Sequence, residues 1–115
     1  MIFAQATDNQ SLLVFPNADA AIAYCEGIDV AEDGWRFWAS FGEPLEAVFS
    51  TPASRGRFLV SSGVYTLVPG SDTEALPLQQ SIAGIRILEP NPFFDTVASV
   101  QNYLSQSGSV KHGGA

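Results

Sequence analysis

The sequence predicts an α+β domain: an antiparallel meander of about five to six strands, with an N-terminal helix after the first hairpin and one or two C-terminal helices packed on the sheet. Three observations lead there. Short runs of alternating apolar and polar residues recur through the first two thirds of the chain, as half-buried strands require. Turn formers separate those runs at close intervals. Helical spacing is confined to one early segment and to the stretch after Pro77, so strands and helices come in runs rather than as repeating β-α units. With 115 residues, 46 % of them hydrophobic and 15 % charged, the chain has the size and composition to bury one continuous core, and residues 1–105 are read as a single domain.

Ile2 to Gln5 and Leu12 to Phe15 read as strands joined by the turn-forming ATDNQS, an opening hairpin. Asn17 or Asp19 caps a helix running from Ala18 to Cys25, which Gly27 ends. Ala18, Ile22 and Cys25 recur at helical spacing, so the lone cysteine is placed in the core rather than at a reactive site. Trp35 to Ser40 alternates, with Trp35, Phe37 and Ala39 on one face and Arg36, Trp38 and Ser40 on the other. Leu45 to Ser50 repeats the pattern, its Leu45, Ala47 and Phe49 continuing the apolar face. Arg57 to Ser61 and Val64 to Val68 flank Ser62-Gly63 and predict a second hairpin.

Pro77 opens a short helix carrying Leu78, Ile82 and Ile85, interrupted near Gly84. Asn91 caps a last helix with Pro92 in its first turn and Phe93, Val97, Val100 and Leu104 on one face. Residues 106–115 have little to bury and are expected to be a disordered tail. On the sheet, one face is almost wholly apolar and supplies the core. The second mixes Trp38, Val48 and Leu59 with Arg36, Glu46 and Arg57, a pattern of a face either half covered by a helix or used for recognition.

Composition excludes several chemistries. Twelve acids against five Lys and Arg leave a formal charge of −7, which disfavours nucleic-acid phosphates and anionic membranes and favours a cationic partner. The single histidine, His112, lies in the glycine-rich tail, so a Ser-His-Asp or Cys-His mechanism is not expected. One Cys and one tail His cannot supply a structural zinc shell, DVAEDGW lacks the spacing of a calcium loop, and no glycine run has dinucleotide or phosphate-loop spacing. No metal and no cofactor is expected. A carboxylate pair within Glu26 to Glu46 leaves a small hydrolase as an alternative, although few basic groups are present to hold a substrate. The opening MIFAQATDNQ has no leader pattern and Cys25 has no partner for an internal disulfide, so a cytoplasmic location is expected.

Charge is concentrated in CEGIDVAEDGWRFWASFGEPLE, residues 25–46, where six acids surround one arginine and leave −5. Glu26, Asp29, Glu32, Asp33, Glu43 and Glu46 are the candidate partner-binding acids, framing Trp38 as an aromatic anchor. A few desolvated aromatic residues can carry affinity while a charged rim speeds encounter. Together with SLLVFPNADAAIAY before it and SGVYTLVP after it, this run resembles small bacterial cytosolic proteins of the immunity type found in contact-dependent and polymorphic toxin systems. The resemblance rests on the helix, Gly27-Ile28-Asp29-Val30, Gly34-Trp35, Gly42 and Pro44-Leu45, and spans about residues 1–105. It implies a non-catalytic protein that binds a cognate toxin domain, often a nuclease with a basic groove, with the six acids standing in for phosphates. The rival expectation is a homodimeric structural or regulatory module.

Overall fold

A computed structural model describes residues 1–56, 59–71 and 75–113, with side chains as far as residue 106. Strands β1 (Ile2–Ala6) and β2 (Ser11–Phe15) make the expected hairpin, with Phe3 opposite Val14 and Gln5 opposite Leu12. Its turn is closed by Asn9, whose Oδ1 accepts the Ser11 N–H at 3.0 Å, and Gln10 adopts a left-handed φ of 59°. Helix α1 (Ala18–Tyr24) starts at Asn17, whose side-chain oxygen accepts the Ala20 N–H at 2.9 Å and satisfies one of the donors a helix start leaves free.

A second helix, α2 (Gly27–Ala31), follows at once. Gly27 therefore opens a helix where its composition predicts the end of one. The physical reason is close approach: a Cβ at Gly27 would overlap the Ser62 carbonyl oxygen, so glycine is needed for packing rather than for termination. Strands β3 (Trp35–Trp38) and β4 (Pro44–Thr51) come next, then the two-residue strands β5 (Ser54–Arg55) and β6 (Val60–Ser61), and β7 (Val64–Pro69). Helix α3 (Leu78–Ser81) continues into a 3-10 turn, Ile82–Gly84. A short strand, β8 (Ile87–Leu88), precedes α4 (Val97–Gly113).

The main sheet has six strands in the order β7-β4-β3-β1-β2-β8, antiparallel throughout except for the β2–β8 pair. The α+β class holds, but the hairpin expected around Ser62-Gly63 does not form. Of its first arm, Arg57 and Phe58 lie outside the described residues. The described part, β6, pairs with β5 in a separate ribbon, and β7 pairs with β4. Gly63, at φ 67°, presses on the backbone of Thr51 and Ala53, so the chain folds back on the end of β4 rather than pairing across the turn.

At the C-terminal end, Asn91 does accept two N–H groups, from Phe93 at 2.9 Å and Phe94 at 2.8 Å, but it closes a turn rather than capping a helix. The helix begins after Thr96, whose Oγ1 accepts the Ser99 N–H at 3.0 Å while the Ser99 hydroxyl accepts the Thr96 N–H at 3.2 Å, a reciprocal cap. Phe93 is left exposed and Phe94 packs instead. Helix α4 is described as far as Gly113.

Both faces of the sheet carry core. On one, Phe3, Leu12, Val14 and Trp38 meet Leu78, Ile82 and Ile85 and the Val100–Leu104 stripe of α4. On the other, Ile2, Ala4, Phe37 and Tyr65 meet Ala21 of α1, Cys25 just after it and Val30 of α2. All five residues of β1 are buried, as a strand covered on both sides must be.

Candidate functional site

The six acids do not converge. Glu26 is the first flanking residue of α2 and Asp29 lies in its first turn; both side chains are exposed. Glu32 closes α2 and receives Arg55 in a two-pronged contact, Nη2 to Oε1 at 2.9 Å and Nε to Oε2 at 3.3 Å. That hydrogen-bonded guanidinium holds the Glu32 carboxyl below its ordinary range. Among the described residues this is the single ion pair, so none of the described carboxylates reaches Arg36, the lone cation of the stretch. Asp33 sits just beyond, in a left-handed conformation at φ 62°, and its carbonyl accepts the Thr7 hydroxyl at 2.8 Å. Glu43 is exposed in the β3–β4 turn, and Glu46, half-buried on β4, accepts the Ser71 hydroxyl at 3.2 Å. Among the described residues no three His, Cys, Asp or Glu side chains gather closely enough to hold a metal ion.

Trp38 does not fit the role expected of it. It is 3 % exposed, packed beneath α3 and α4, and its indole N–H donates to the Leu76 carbonyl at 2.9 Å. The mixed sheet face is thus half covered: helices close over its Trp38 end and leave the Val48 end open, with Val48 48 % exposed. Two aromatic residues stand at the surface close in sequence to the acids: Phe41, 63 % exposed and two residues before Glu43, and Tyr24, 61 % exposed at the end of α1. The Tyr24 ring lies 5.5 Å from Phe15 and meets Trp35 edge-on at 6.1 Å, and contacts on both sides limit its freedom. Its sequence neighbours mark the place: Glu26 follows two residues later and Asp33 precedes Trp35 by two.

A cleft of about 650 Å³ opens between β3 and β4. These strands pair only at Phe37–Leu45 and Trp38–Pro44, after which β4 diverges. Asp33, Arg36 and Glu46 line the gap beside Trp35 and Leu76, so two of the six acids share it with the arginine. Nothing in the residue pattern announces this cleft, because alternation along two strands is the same whether or not their backbones stay in contact.

Cys25 is fully buried, and desolvation followed by the nearby Asp29 charge pushes its thiol up to about 12, which leaves no thiolate for nucleophilic chemistry near neutral pH. Tyr65 donates its hydroxyl to the Cys25 carbonyl at 2.6 Å and is pushed up to about 12 in the same way, by burial first. Among the described residues no helix is long and apolar enough to cross a membrane. In comparisons with family models, curated proteins and solved structures, nothing matches this chain.

Proposed function

We propose that this chain is a non-catalytic, immunity-type protein that binds and neutralises a cognate toxin domain with a basic surface, in the bacterial cytoplasm. The supporting observation is the outward placement of Glu26, Asp29, Glu32 and Asp33 along α2 and just after it, beside the exposed ring of Tyr24. Exposed acids that do not face one another act on charge at a distance, whereas a carboxylate pair working on a bond must face its mate across a substrate. Tyr24 takes the anchoring role, since its hydroxyl and ring suit a surface that becomes desolvated on binding. Arg55 orients Glu32 and leaves Glu26, Asp29 and Asp33 as the charges a basic partner meets first.

The test uses the toxin domain encoded by a neighbouring reading frame. Co-expression with this chain is expected to restore growth, and association is followed by stopped flow. Reversing Glu26, Asp29 and Asp33 to lysine is expected to slow association by about tenfold or more at low salt while leaving dissociation nearly unchanged, and raising the salt should erase the difference. Tyr24→Ala should instead act on the dissociation rate. Association at low salt that is unaffected by the triple reversal would remove the steering role.

A further inference from the structure

The two ends of the main sheet differ. At one end β8 is two residues long and is flanked by Arg86 and Glu89, so it offers little to a passing strand. At the other, β7 runs for six residues, VYTLVP, without a charge, and carries only Pro69 at its far end as a deterrent to pairing. The direction of its free groups follows from one bond. Gly70 donates its N–H to the Pro44 carbonyl at 3.0 Å, so alternation along the ladder turns the backbone groups of Val68 and Thr66 toward β4 and those of Tyr65 and Leu67 outward. Among the described residues no backbone group bonds to these outward N–H and C=O groups.

We propose that two copies of this chain pair through the outer edges of β7, antiparallel about a two-fold axis at Thr66, joining their six-stranded sheets into one. In this register Tyr65 of each copy exchanges both backbone hydrogen bonds with Leu67 of the other, so every outward N–H between Val64 and Val68 finds an acceptor. Shifting the centre by one residue to Leu67 would set Tyr65 against Pro69, which has no N–H to give. The side chains agree with the same axis. On the open face, Val64, 56 % exposed, comes opposite the half-buried Val68 of the other copy, and Thr66 meets its own mate, pairs that stabilise antiparallel strands. A two-fold contact must be self-complementary, and this strand is. The β7 strand itself carries no charged residue, which lets two molecules of charge −7 meet along it without setting carboxylates opposite one another in the ladder.

Sedimentation velocity over a concentration series, with amide hydrogen exchange, tests the pairing. The intact chain is expected to dimerise with rising concentration, more readily as salt screens the repulsion between two acidic copies, the opposite salt response to capture of a basic partner. Amides of Tyr65 and Leu67 should gain protection with concentration, while those of Thr66 and Val68, bonded to β4 already, should not change. Thr66→Lys lowers the net negative charge yet sets two cations face to face at the axis, and is expected to weaken the dimer by about fivefold or more. Ser50→Lys on the neighbouring exposed position of β4 makes the same change in net charge and should leave it intact. A chain that stays monomeric at every concentration, or a dimer indifferent to Thr66→Lys with no protection gained at Tyr65 and Leu67, overturns the proposal.

Discussion

Trp38 ties three segments together from one position: its ring fills space beneath α3 and α4, its strand pairs with β1, and its N–H reaches the Leu76 carbonyl just ahead of α3. Trp38→Ala is expected to lower folding stability by about 3–5 kcal/mol, the range for removing a large buried aromatic residue, whereas Trp38→Phe removes less volume and chiefly the hydrogen bond. Urea unfolding of the two variants checks the order. A loss of the proposed partner binding in Trp38→Ala would then report unfolding, so charge variants on α2 are the cleaner probes of that proposal. The residue pattern placed Trp38 on the opposite face from Phe37, and it is there. What alternation alone could not say is that a second set of helices covers that face, because the segment that does so, Leu76 to Leu104, is remote in sequence and shows only its own periodicity.

Among the elements, α2 has the tightest dependence on a single residue. Its first position touches the turn ahead of β7, and the Ser62 carbonyl occupies the space a side chain would need. Gly27→Ala is therefore expected to destabilise the fold by about 1–3 kcal/mol, as overpacking does, and by more than Gly84→Ala, whose added methyl meets nothing within 4 Å. Thermal melts of the pair make the comparison. Because α2 also carries Glu26, Asp29 and Glu32, the same change would disturb the acidic edge without altering any charge. Elements made by local chemistry were legible: the β1–β2 hairpin, the Asn17 cap, the strands Trp35–Trp38 and Pro44–Thr51, and a helix after Pro77. Elements that exist through contact with distant chain were not. The two residues of β8 pair with Ser11 and Leu12, far away in sequence, and β5 and β6 are held by each other.

At the scale of the whole molecule, the buried Cys25 thiol and Tyr65 hydroxyl make the fold sensitive to alkali. Both have folded-state values raised above their ordinary ones of 9.0 and 10.0, to about 12. The sign follows: above about pH 9 the unfolded chain sheds these protons while the native chain holds them, so stability is complete below that pH and falls as pH rises toward 12. Urea midpoints taken from neutral pH upward should decline through this window, and Cys25→Ala should flatten the first part of the decline. The concentration of acids is legible at this scale too, since net charge needs no structure, but that Asp33 and Glu46 also line the β3–β4 cleft depends on where β4 leaves β3. The fully enclosed β1 carries one further consequence. Ile2, Ala4 and Ala6 fit the narrow space under α1, while Phe3 and Gln5 fill the opposite side, with the Gln5 amide held by the Gln10 side chain. Displacing this strand by a single step would drive a phenyl ring against Ala21 and strand an amide among hydrocarbons, so the molecule's central alignment is chosen by bulk on one side and polarity on the other.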